Sequence, residues 1–203
     1  MTTGAPAIRP AAPEEDDLVA ELLYETAGGM YDLFAGGRSR AAKVLRAAYA
    51  REGTSASREV VVLAELDGRA AGAMAAFPVA EGDGRARAFL RLTLARTPPW
   101  RWPRTLKVFR LGGRLTPPAP GDALYIDALA THPDLRRRGV ATALLKAAER
   151  RARAFGLNAI ALDTAERNLA AQALYERFGM ERSGRSEGIG EIPGAIAYVK
   201  RLT

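Results

Sequence analysis

The stretch from residue 123 to residue 163 constrains this chain more than any other. Ala123 to Thr131 is an unbroken apolar run with strand length, interrupted only by Asp127. Val140 to Phe155 changes to a helical period, with Val140, Leu144, Ala147, Ala148 and Phe155 on one side. Gly156 follows where a residue just past a helix end belongs. Asn158 to Asp163 is again short and apolar. Strand, helix and strand in succession make a βαβ unit, so the two strands are expected to be parallel, with a right-handed crossover.

The flanking segments read as mixed α and β structure. Ala7-Ile8-Arg9 is a short strand closed by Pro10. The acidic run Pro13-Glu14-Glu15-Asp16-Asp17 precedes Leu18, Leu22 and Leu23, as at a helix start, and Gly28-Gly29 is expected to end that helix. Ser39 is expected to cap a second helix reaching about Ala50. Glu59 to Leu66 and Arg69 to Val79 flank Asp67-Gly68, a strong signal for a tight hairpin. Leu169 to Phe178 is a helix stopped by Gly179. Met180 to Gly188 and Ala195 to Leu202 read as a closing antiparallel pair. At 203 residues the chain is one domain, 1–203, with room for an insertion.

Composition removes several chemistries. There is no cysteine, hence no thiolate nucleophile, disulfide or zinc–thiolate site, and the one histidine excludes any two-histidine mechanism. No metal is expected. No apolar run is long enough to span a membrane, and the N-terminus lacks the pattern of a secretory signal, so the expected location is cytoplasmic. The net charge is +7, and arginine greatly outnumbers lysine, which suits an anionic ligand.

Between the first strand and the helix of the βαβ unit lies Leu135-Arg136-Arg137-Arg138-Gly139-Val140-Ala141-Thr142. A turn that feeds a helix N-terminus presents unpaired N–H groups and the positive end of the macrodipole, a natural phosphate site. Gly139 and Ala141 allow a pyrophosphate to approach the backbone. The pattern Arg136-x-x-Gly139-x-Ala141 is followed by Asn168-x-x-Ala171-x-x-x-Tyr175-x-x-x-Gly179-Met180. In that order and context the chain resembles the GNAT superfamily of acetyl-CoA-dependent N-acetyltransferases, strongly over 122–183 and less so over 7–80.

The resemblance implies a mostly antiparallel twisted sheet, flanked by helices, in which one parallel strand pair splays apart. It implies that Leu129, Ala130 and Thr131 offer a free strand edge to the pantetheine arm of CoA. The pyrophosphate is implied to sit on Arg136, Arg137, Arg138, Gly139, Val140, Ala141 and Thr142. Asn168 matches a residue that contacts the CoA arm, and it also suits a helix N-cap. Tyr175 matches the tyrosine near the CoA sulfur, where a phenol can donate to the leaving thiolate. Asp127 matches a position that often carries glutamate; as a base it is expected to act through water, and a salt bridge to arginine is the structural alternative. His132 is read as structural. Tyr31, Asp32, Phe34, Phe77 and Glu191 are implied contacts to the acceptor, with Asp163 and Glu166 further candidates. The implied reaction is direct acetyl transfer from acetyl-CoA to a primary amine of a small molecule, peptide or protein. A CoA-binding sensor without turnover is the competing reading, one that need not keep Asp127 and Tyr175.

Residues 84–121 depart from the family pattern. This stretch has nine basic residues and no acidic one, and it holds Trp100 and Trp102. Two helical pieces, about 85–95 and 104–111, are separated by Pro98-Pro99 and Pro103. Arg87 and Arg91 share a face, as do Arg104, Lys107 and Arg110. The segment reads as a basic insertion that either covers the acceptor side or builds an interface, such as that of a homodimer; an acidic acceptor or an anionic membrane surface would also match its charge, and a solvated basic face is the alternative. No helix-turn-helix, zinc site or stacked aromatic sheet supports nucleic-acid binding.

Overall fold

The computed structural model describes residues 4–203. Its core is one seven-stranded sheet in the order β1-β2-β3-β4-β5-β7-β6. The strands are β1 (Ala7–Pro10), β2 (Val61–Leu66), β3 (Arg69–Pro78), β4 (Ala123–Thr131), β5 (Ala159–Ala165), β6 (Glu181–Ser186) and β7 (Ala195–Arg201). Every pairing is antiparallel except β4 with β5, which is the parallel pair expected of the βαβ unit. Asp67 and Gly68 both take positive φ, 53° and 73°, and close the β2–β3 hairpin as their sequence demands.

Helices α1 (Asp16–Ala35), α2 (Arg38–Tyr49), α3 (Gly82–Arg96) and α4 (Trp102–Leu115) precede β4. Helices α5 (Val140–Ala154) and α6 (Leu169–Arg177) follow it. The sheet separates two apolar clusters. Val19, Leu23, Leu45, Tyr49 and Phe89 meet Leu63, Ala73, Ala75 and Phe77 on one face. Leu144, Leu145, Ala148 and Tyr175 meet Met74, Ile126, Ile160 and Tyr198 on the other. The period-2 alternation along β3 is thus buried on both sides.

Two helix boundaries differ from expectation. Gly28-Gly29 does not end the first helix; α1 continues to Ala35, with a break in helical geometry at Ala27 (φ −153°, ψ 42°). Packing of Tyr31 and Phe34 against the first cluster outweighs the low helix propensity of the glycine pair. The helix ends instead at Gly36, in the left-handed region at φ 88°. Ser39 does not cap α2: the N-cap is Gly37, and Ser39 lies within the helix.

The basic segment is helical over more of its length than its sequence suggests, and it is docked. Thr105 Oγ1 donates to the Phe34 carbonyl at 3.0 Å, tying α4 to the end of α1. Trp102 Nε1 donates to the Leu94 and Thr97 carbonyls, at 3.0 and 3.2 Å, and closes the α3–α4 turn. Arg85 reaches Glu59 at 2.6 Å and fixes α3 to the loop before β2. Trp100 stays 80% exposed.

Candidate active site

Pairing between β4 and β5 stops early. Ala123, Leu124 and Tyr125 pair with Ala159, Ile160 and Ala161, and beyond them the strands diverge. On its other edge β4 stays bonded to β3 as far as Thr131. The β5-facing backbone edge of Leu129, Ala130 and Thr131 therefore opens onto a cleft. A second irregularity lies between β3 and β4. Ala75 pairs with Ala128 and Ala76 with Ile126, so Asp127 is the extra residue of a β-bulge. The bulge changes which face the side chains take. Ile126 packs into the cluster beneath α5, while Ala128 packs into the cluster beneath α1.

The turn before α5 forms a cradle. Arg137 and Gly139 both take positive φ, 65° and 81°. The helix ladder begins with Ala143 N–H donating to the Gly139 carbonyl at 2.9 Å, which leaves the N–H groups of Val140, Ala141 and Thr142 free at the positive helix end. A Cβ placed on Gly139 would project into open space. Gly72 lets this helix end sit close to the sheet: a Cβ there would stand 2.5 Å from the Ala130 carbonyl oxygen and 2.9 Å from Val140 Cγ1.

Two cavities meet at the cleft. One, of about 480 Å3, is lined by Leu129, Ala130, Thr131, Arg136, Arg137 and the first residues of α5. The other, of about 860 Å3, runs between α1, the middle of α3, the end of α4, β4, β5 and the β6–β7 loop. Thr26, Leu129, Asn168 and Tyr175 line both. Asn168 Oδ1 accepts from Ala171 N–H at 3.3 Å and its Nδ2 donates to Thr164 Oγ1 at 3.2 Å, so it caps α6 while facing the junction. Tyr175 is almost buried, its ring centroid 5.5 Å from that of Tyr198. Burial, with Asp163 and Tyr198 nearby, pushes its hydroxyl up to about 12.

Asp127 faces the larger cavity. Its side chain is exposed to the cavity and ringed by protein on its other sides. That enclosure, with Asp163 as a second negative neighbour, pushes its pKa up to about 7, against an opposing hydrogen bond from Ser55. Among the described residues no arginine or lysine pairs with it, which removes the structural alternative of a salt bridge. Tyr125 donates a hydrogen bond to Asp163. Burial raises the Asp163 pKa as well, opposed by that hydrogen bond. Tyr31, beyond the α1 break, is raised by burial and by the charge of Asp127.

Of the other expected residues, Tyr31, Phe34 and Glu191 line the larger cavity. Phe77 does not. Its ring is buried against Tyr125, at 6.1 Å, with the Arg85 guanidinium over its face at 5.5 Å. Asp32 also turns away and accepts from the Tyr24 hydroxyl at 2.9 Å. The Arg138 side chain is drawn to Asp67 at 2.6 Å, so only its backbone remains for the turn. His132 Nδ1 accepts from Asp134 N–H at 3.4 Å, a local structural role. Glu166 is taken up by Arg185. Ser55, Phe89, Leu115 and Thr116 are lining residues that sequence reasoning missed. They come from a loop and from the basic segment, where no motif marks them.

A model of the acetyltransferase (GNAT) family matches residues 29–180. The chain belongs to the GNAT acetyltransferase family. The GNAT fold is also seen in its structural neighbours. An N-acetyltransferase from Staphylococcus aureus Mu50 aligns with a TM-score of 0.73 at 21% identity, covering 96% of this chain and 100% of that one. A structure described as an acetyltransferase gives 0.69 at 19% identity, with 97% and 100% covered. SsHAT gives 0.67 at 22% identity, with 98% of each chain covered. No curated protein sequence matches the chain. Within this GNAT domain, no helix among the described residues is long and apolar enough to cross a membrane. No group of three or more histidine or acidic side chains among those residues is arranged to hold a metal ion.

Proposed function

We propose that this protein transfers the acetyl group of acetyl-CoA directly to a primary amine. The observation that carries the proposal is a juxtaposition. A free strand edge and a helix N-terminus open onto one cavity, an enclosed carboxyl with a pKa near 7 lines the other, and Tyr175 lies at their junction. The smaller cavity suits CoA. Its unpaired N–H groups and Arg136 and Arg137 match a pyrophosphate, and the open space at Gly139 lets the phosphates reach the backbone. The free edge of Leu129 to Thr131 suits the amide-bearing pantetheine arm, which completes the sheet edge as an added strand would. When bound, acetyl-CoA supplies the activated acyl group.

In this reading Asp127 accepts the proton of the attacking amine through a water in the cavity. An alkylammonium titrates near 10.4, so the amine arrives protonated at neutral pH and needs a base. A carboxyl near 7 is about half ionised at neutral pH and more so above it, and remains a usable acceptor. Tyr175, raised to about 12, stays protonated and donates a hydrogen bond to the departing sulfur. With no cysteine in the chain, no thiol acyl-enzyme intervenes. The whole chain acts as one acyltransferase domain in which residues 84–121 serve as a wall on the acceptor side, through Phe89, Gly112, Leu115 and Thr116.

The test pairs calorimetric titration with CoA and an assay of thiol release from acetyl-CoA over a panel of amines. CoA binding with amine-dependent thiol release is the expected result. CoA binding without turnover on any amine would replace the enzyme with a sensor, and absence of CoA binding would overturn both readings.

A further inference from the structure

The larger cavity joins two strand-borne carboxylates to an apolar, aromatic wall supplied by helices. Its carboxylates, Asp127 and Asp163, lie on β4 and β5. Helices α1, α3 and α4 supply Met30, Leu33, Phe34, Phe89 and Leu115. The aromatic rings continue one another: Tyr31 lies 6.4 Å from Phe89, Phe89 5.7 Å from Phe34, and Phe34 6.2 Å from Phe109. Glu191, at the rim, is held by Arg104 at 2.7 Å. Arg167 is exposed, and it is the only basic side chain lining the cavity among the described residues. The nine basic residues of 84–121 contribute none of the lining, although α3 and α4 form part of the wall.

We infer that the acceptor is a primary monoamine carrying an aromatic or bulky apolar body, with its ammonium group directed at Asp127 and Asp163 and its body against Tyr31, Phe34, Phe89 and Leu115. The inference rests on the acetyl-transfer reading of the same site. A single cation finds carboxylates where the chemistry takes place, and the aromatic wall takes the apolar body. A polyamine or an aminoglycoside fits poorly. Its second cation would lie along an apolar wall or meet Arg167 at the rim, and the one carboxylate there is already paired. An anionic acceptor meets two carboxylates at the reaction end. The strong basicity of the chain therefore does not describe its acceptor, because the charge lies outside the cavity.

The test compares 2-phenylethylamine and tryptamine with spermidine, kanamycin and a lysine-containing peptide, by thiol release at saturating acetyl-CoA. The aromatic monoamines are expected to exceed the others in kcat/KM by about 10–100-fold, the discrimination that an apolar pocket supplies. Phe34→Ala is expected to raise KM for phenylethylamine about 10-fold and leave KM for acetyl-CoA unchanged. Because Phe34 also packs in the core, Thr116→Lys on the exposed end of α4 is the second variant. It adds a cation beside the cavity and is expected to lower kcat/KM for the aromatic amines. Binding of N,N-dimethylphenylethylamine, which cannot form a stable amide, is measured alongside by thermal shift in the presence of CoA. Binding of that probe without turnover of any amine would sink the enzyme reading and sustain the pocket assignment. Higher kcat/KM for spermidine, kanamycin or the peptide would overturn the inference, as would neither binding nor turnover of the aromatic amines.

Discussion

Replacing Asp127 with asparagine removes the proposed base and leaves the shape of the bulge. The wild-type carboxyl is pushed up to about 7 by enclosure and by Asp163. Ionisation is then about one-tenth complete at pH 6 and about nine-tenths complete at pH 8, whereas an ordinary aspartate near 3.9 would be ionised throughout. With Asp127 as base and the amine arriving as ammonium, log kcat/KM is expected to rise with unit slope below pH 7. It then levels off until the amine itself titrates, near 10.4. In Asp127→Asn the inflection at 7 disappears, and the rate climbs with unit slope across the whole range because only free amine reacts. The loss at pH 8 is about 100-fold, the low end for general base catalysis, as befits transfer through water. The gap narrows toward pH 10. The assay is thiol release at saturating acetyl-CoA from pH 5.5 to 9.5. An asparagine variant that keeps the wild-type inflection near 7 would refute the reasoning. Stability gives a second readout with its own sign. A carboxyl whose folded pKa is raised contributes its stability fully below the unfolded value, near 3.9, and loses it as pH rises through 7. Three units would be worth about 4 kcal/mol, but water reaching the group through the cavity screens most of this, leaving about 1 kcal/mol. Asp127→Asn is thus expected to raise Tm by a few degrees at pH 8 and to have no such effect at pH 4.

Tyr175→Phe is expected to lower kcat by about 100-fold, with KM for acetyl-CoA and the inflection near pH 7 unchanged; a wild-type kcat would leave substrate positioning alone to carry the reaction. Gly139→Glu puts a side chain and a like charge into the space open to the phosphates, at a φ of 81° that costs about 1–3 kcal/mol in any residue but glycine. Calorimetry should find CoA binding abolished, and unchanged affinity would remove this turn from the site. Gly72→Val drives a Cβ into the Ala130 carbonyl, 2.5 Å away, and against Val140, so a stability loss of about 1–3 kcal/mol and weaker CoA binding are expected from denaturant titration and calorimetry. A fully stable Gly72→Val protein would show that α5 does not need this close approach.

Much of the fold was legible because its signals are local. The change of period between Ala123 and Asp163 gave the parallel pair, and Asp67-Gly68 gave the hairpin through its backbone preferences. The turn before α5 was legible as a glycine-bearing, arginine-rich loop feeding a helix start because those residues and the helical period from Val140 are consecutive. The errors occurred where distant packing overrides local preference. Gly28-Gly29 looks like a helix end, yet α1 runs past it because Tyr31 and Phe34 gain a core to pack against. Phe77 and Asp32 looked like acceptor contacts, but strand parity buries the first and a tyrosine hydroxyl takes up the second.

The period change and the basic, glycine-bearing turn made the βαβ unit, and the residues along it, readable from the chain alone. Alternation along β4 would put Ile126 and Ala128 on the same face and Asp127 on the opposite one. Only the folded sheet reveals that a bulge opposite Ala75 and Ala76 breaks this alternation at Asp127. Only the fold shows that β4 leaves β5 after Tyr125, and that two helices of a strongly basic segment turn Phe89 and Leu115 into an acidic, aromatic cavity while their arginines stay out of it. The physical reason is range. Backbone preference and the basic, glycine-bearing turn belong to a few consecutive residues. Strand divergence and the meeting of carboxylates with an aromatic wall arise from contacts between segments far apart in the chain.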